Sequence, residues 1–61
     1  MRLTDSHLVV LFAAYRNEDN ALEGDANRPA ALKDLITEKL MQREGRRCVI
    51  TRKGLVAMNQ A

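Results

Sequence analysis

Eight consecutive apolar residues, Leu8 to Tyr15, constrain this chain more than any other feature. Leu8, Leu11, Phe12 and Tyr15 recur at i, i+3, i+4 and i+7, the spacing of one helix face. Val9, Val10, Ala13 and Ala14 make the remaining faces apolar as well. A helix that is hydrophobic all round needs cover on every side, and the whole chain has only 61 residues. Chains of about 60 residues bury only roughly 60% of their unfolded surface. The expectation is therefore a homodimer that buries Val9, Val10, Ala13 and Ala14 between two copies. The alternative is that the small side chains Ala13 and Ala14 pack against another element of the same chain.

The helix start is well marked. Thr4 suits the N-cap, because its hydroxyl can accept a bond from an unpaired backbone N–H. Asp5 follows in the first turn, where the helix dipole favours negative charge, and Leu3 and Leu8 hold the positions of a hydrophobic staple. The run is far shorter than the roughly 20 residues that span a bilayer. Asp5 and His7 precede it where Lys or Arg would be expected, so a signal peptide is not expected. An intracellular, cytoplasmic chain without a membrane segment is the expectation.

Size and cysteine usage exclude several classes. A chain this short forms one domain, with no cleft between domains and no room for a nucleotide-binding α/β sheet. Phe12 and Tyr15 are the only aromatic residues, so Leu, Ile, Val, Met and Ala must build the core. A single cysteine, Cys48, forms no internal disulfide, and with one histidine, His7, the chain cannot supply a structural zinc site. No metal or cofactor is expected. Ser6 and His7 are neighbours whose side chains diverge by about 100° on a helix, so they make no nucleophile–base pair. Asp34 and Glu38 could face one another on α-helical spacing, but on an exposed helix without a pocket to perturb them. His7 reads as an ordinary helix-start residue and Cys48 as a small core or interface residue. A non-enzymatic protein is expected.

Beyond Tyr15, residues 16–28 are polar and read as a linker, with one short helical turn around Ala21–Leu22. Pro29 suits the first turn of a second helix, capped by Asn27 or Arg28 and running to about Lys39. Its apolar face is Leu32, Leu35, Ile36 and Leu40. Two short runs then flank Glu44-Gly45, the second rich in β-branched residues, which is the pattern of a β-hairpin. Gly45 supplies the positive φ that such turns require. Thr51 caps a last helix from Arg52 to about Asn59, with Leu55 and Met58 inward. Gly54 weakens that helix by up to about 1 kcal/mol relative to Ala. The fold class is α+β: helix, polar linker, helix, two-stranded hairpin, short helix.

Charge divides along the chain. Residues 1–27 carry a net −3 and residues 28–61 a net +5. Such asymmetry points to an anionic partner for the second half, nucleic acid being the commonest. Arg43, Arg46, Arg47, Arg52 and Lys53 lie on the hairpin and the start of the last helix, where several could meet one anion, and a helix start offers free N–H groups to phosphate. A solvated face is the simpler alternative, with basic residues that stop the hairpin from pairing edge to edge with other chains.

The stretch from Leu35 to Leu55 resembles the recognition-helix and wing segment of bacterial winged-helix regulators, of the multiple-antibiotic-resistance-regulator and phenolic-acid-regulator types. Ile50-Thr51-Arg52-Lys53-Gly54 is similar to the Leu-Thr-x-x-Gly-like step by which the second wing strand of those families enters a helix. The likeness spans about residues 30–58. It implies a winged-helix-like domain that binds double-stranded DNA in transcriptional control, with Arg43, Arg46 and Arg47 on the wing. Arg52 and Lys53 follow at the helix start, and Lys33 lies at the edge of the preceding helix. The outward face of residues 29–39 would centre on Asp34, flanked by Thr37 and Glu38, which suits phosphates and base edges poorly. The alternative function is a homodimeric protein-interaction module, of the kind common among phage and mobile-element accessory proteins, whose acidic helix would suit a basic protein surface.

Overall fold

The computed structural model describes all 61 residues. Helix α1 spans Asp5–Tyr15, strand β1 Ala21–Glu23, helix α2 Pro29–Thr37, strand β2 Met41–Glu44, strand β3 Arg47–Ile50 and helix α3 Arg52–Gln60. The strands form one antiparallel sheet in the order β1-β3-β2. Met41, Gln42, Arg43 and Glu44 stand opposite Ile50, Val49, Cys48 and Arg47. Across the other edge of β3, Ala21, Leu22 and Glu23 stand opposite Val49, Cys48 and Arg47. No helix is long and apolar enough to cross a membrane.

Strand β1 occupies the segment that reads as a linker with a helical turn. The propensity of three residues is too weak to announce a strand, and local polar bonds set it up instead. Asn17 Nδ2 donates to the Ala21 carbonyl at 2.6 Å, and Asp19 Oδ1 accepts from the Ala21 N–H at 3.2 Å. Ile50 N–H then donates to the Asn20 carbonyl at 2.9 Å, which docks the turn onto β3.

Helix α1 begins at Thr4, as its cap sequence requires, but His7 does more than start it. Nδ1 of His7 accepts from the Thr4 N–H at 2.9 Å, while the His7 N–H points at the Thr4 hydroxyl, 3.4 Å away. His7 thus completes a capping box. Because Nδ1 accepts from a backbone donor, the ring proton sits on Nε2, which donates to Asp34 Oδ2 on α2 at 3.1 Å. This pair, with His7 buried, fixes how α1 is rotated about its axis.

The rotation differs from the expected one. The inward face is His7, Val10, Leu11 and Ala14, while Phe12 and Tyr15 are 47% and 54% exposed and Val9 41%. An all-apolar helix gives periodicity nothing to choose between, so packing decides. Small Val10 and Ala14 let α1 lie close against α2 and the sheet, where an aromatic ring would hold it away. Val10 and Ala14 are fully buried in the chain's own core and are therefore unavailable to a second chain. Of the four expected interface residues, Val9 and Ala13 remain at the surface.

Helix α2 starts at Pro29 with Arg28 at the cap position, and ends two residues before Lys39. Lys39 N–H donates to the Ile36 carbonyl at 3.1 Å and Leu40 N–H to the Leu35 carbonyl at 2.8 Å, with Lys39 in the left-handed region at φ +63°. These paired bonds form a Schellman motif. The motif carries Leu40 into the core after the helix has stopped, so its place in the apolar set survives the shorter helix.

Helix α3 rests on a close approach. Thr51 Oγ1 accepts from Gly54 N–H at 3.1 Å and donates to the Lys39 carbonyl at 2.7 Å. A Cβ on Gly54 would lie 2.1 Å from the Leu40 carbonyl oxygen, so this position admits only glycine. Leu32, Leu35, Leu40, Met41, Cys48, Ile50 and Met58 join Val10, Leu11, Ala14 and Ala31 in one core, against which Leu22, Ile36 and Leu55 pack.

Candidate nucleic-acid interface

Side-chain alternation distributes the hairpin arginines between two faces. Arg43 shares the helix side of the sheet with Met41 and with Cys48, its cross-strand partner. It projects from the end of that face that α2 leaves uncovered. Lys33 follows the buried Leu32 on α2 and is turned to solvent. The packing of α2 on β2 brings these two cations to one open groove of about 340 Å³, lined also by Asp25, Pro29, Leu32, Ile36 and Thr37. Asp25 is engaged locally, since its Oδ1 accepts from the Asn27 N–H at 2.8 Å. Arg46, the second residue of the two-residue turn after Gly45, is exposed and forms no ion pair.

Arg47 is placed differently. It lies on the opposite face of the sheet, in a cross-strand row between Glu23 on β1 and Glu44 on β2, and it forms an ion pair with Asp19. Its charge is committed to an acidic neighbourhood, with Asp19 and Glu23 from the first half of the chain and Glu44 from the second. Arg52 and Lys53 stand at the other end of the hairpin, beyond the Met41–Ile50 pair, roughly 10 Å from the Glu44–Arg47 pair at strand rise. Lys53 Nζ donates to the Glu38 carbonyl at 3.2 Å. The expected basic set is thus divided in three: Lys33, Arg43 and Arg46 near the groove and turn, Arg47 on the far face, and Arg52 with Lys53 at the base.

The acidic residues of α2 are displaced from the groove. Asp34 is turned toward α1, where His7 holds it, and Glu38 is the C-cap residue. A helix places neighbouring residues about 100° apart, so Lys33 and Asp34 serve opposite edges of α2. The sequence identified the cations but not which edge of α2 faces α1, which the His7–Asp34 contact across 27 positions marks. Asp25, which helps to complete the groove, carries no signal in the sequence, and Thr37 is legible only as part of the outward face of α2. No three His, Cys, Asp or Glu side chains come together as metal ligands would.

A second surface feature is apolar. Leu8, Val9, Phe12 and Ala13 line a shallow depression on the outer side of α1, between Asp5 and Arg16. Leu8 and Phe12 belong to the face that the helical spacing assigns to the core. The chain matches no protein-family model, no curated protein and no solved structure.

Proposed function

We propose that this is a small winged-helix-like protein of transcriptional control that contacts the phosphates of double-stranded DNA through Lys33, Arg43 and Arg46. The observation that carries the reading is the groove in which Lys33 and Arg43, from α2 and β2, stand together while Asp34 lies on the other edge of α2, bonded to His7. The order of helix, hairpin and closing helix, and the Thr51-to-Gly54 step, also support it. Arg52 and Lys53 provide a secondary contact at the start of α3, and Arg47 contributes least because Asp19 already pairs with it. Phosphate contacts position a protein on the duplex without reading its sequence, and α2 offers no base-reading set at the groove.

Fluorescence anisotropy with labelled duplexes at graded salt tests this. The affinity should be alike on unrelated sequences, with a log–log salt slope of about −3 to −5, from the three primary phosphate contacts and up to two more at Arg52 and Lys53. Lys33→Ala and Arg43→Ala should each weaken binding and reduce the slope by about one unit, whereas Arg47→Ala should change little. Binding that is indifferent to both Lys33→Ala and Arg43→Ala would overturn the assignment. The exposed apolar face of α1 favours a second reading, a homodimeric interaction module that docks another protein and contacts no DNA.

A further inference from the structure

We infer that the outer face of α1 is a self-complementary interface on which a second copy of this chain packs antiparallel about a twofold axis. The surface between Asp5 and Arg16 is a stripe: Asp5, Val9, Phe12 and Arg16 follow one another along a single side of the helix, with Leu8 and Ala13 beside it. Its positions are symmetric about the midpoint between Val10 and Leu11. In an antiparallel pair centred there, Asp5 meets the partner's Arg16 and Val9 meets Phe12, while Leu8 and Ala13 border the seam on its two opposite sides. Phe12 is thereby set against the smaller Val9 at the centre of the seam. The opposite charges lie eleven residues apart, about 16 Å along the helix, so both ends close at once. Neither the Asp5 carboxylate nor the Arg16 guanidinium has an ion-pair partner within its own chain.

A twofold interface demands that residue i contact j while j contacts i, and this charge pattern satisfies that demand. It favours a second copy over an unrelated protein, because the unpaired Asp5 and Arg16 complement one another about the same midpoint as Val9 and Phe12. A single helix pair buries less than the roughly 800 Å² per partner of a standard interface, so the dimer should form in the micromolar range and exchange readily. This deepens the second reading above and stands or falls without the basic groove.

Sedimentation equilibrium of the full chain from about 5 μM to about 500 μM, the span in which a micromolar Kd is resolved, should show a monomer–dimer equilibrium. Phe12→Glu should abolish it while circular dichroism reports an unchanged fold, since Phe12 is outside the core. Asp5→Arg and Arg16→Asp should each weaken self-association about tenfold, because each places like charges together at both ends. Mixing those two variants should restore a dimer, since every end of the mixed pair again joins opposite charges. A monomer throughout the range would overturn the proposal, as would a dimer that persists in Phe12→Glu. Failure of the mixture to associate more tightly than either variant alone would overturn the antiparallel register.

Discussion

Two residues, His7 and Gly54, hold places that no other side chain fills equally well. His7 combines a capping role with an interhelix bond to Asp34. His7→Ala removes both and should cost about 1–2 kcal/mol in urea denaturation, the range for losing a cap and a partly buried bond. His7→Gln should recover part of that loss, because glutamine at the same position can complete a capping box. Gly54 reverses the usual sign of a helix substitution. In an open helix Gly→Ala gains up to about 1 kcal/mol, but here the added Cβ meets the Leu40 backbone oxygen, which cannot swing aside. Gly54→Ala should destabilise by roughly 3 kcal/mol, the upper part of the overpacking range, seen as a lower denaturation midpoint with an unchanged m-value. The sequence marks Gly54 as a weak point of α3; the tertiary contact makes it the reason that α3 can dock.

Among the elements, those with chemical start and stop signals were legible: α1 from its Thr4 cap, α2 from Pro29, the hairpin from Gly45, α3 from Thr51. Strand β1 was not, because its three residues become a strand only by pairing with β3. The end of α2 was misplaced because Leu40 continues the helical spacing although the chain has already turned at Lys39. That turn holds a lysine at φ +63°, a conformation that suits glycine. Lys39→Gly should therefore stabilise the protein by about 0.5–1 kcal/mol, a gain limited by the greater freedom of glycine in the unfolded chain. A rise of the thermal midpoint would register it. Gly45 shows the converse: its φ of +64° at the first turn position means that Gly45→Ala should cost about 1–2 kcal/mol.

At the scale of the whole molecule, the charge split acquires a physical meaning. Part of the basic half is neutralised by the acidic half, through Arg47 with Asp19 and the flanking Glu23. The Asp19–Arg47 pair is exposed on both sides, so Asp19→Asn should change stability by less than about 1 kcal/mol while removing one negative charge from the chain's field on DNA. Its expected signature is an unchanged unfolding midpoint with somewhat tighter binding to DNA at low salt. Sequence by itself determined the element types other than β1, most of the core outside α1 and the supply of cations, because caps, glycine and proline positions and apolar spacing act over a few residues. Only the tertiary structure decided which face of α1 is buried, since an all-apolar helix has no intrinsic inside. It also decided which arginines are free, since that depends on carboxylates distant in sequence. The apolar run that most constrains the chain fixes a helix; the His7–Asp34 bond and the fit of Val10 and Ala14 fix which of its sides is left for another molecule.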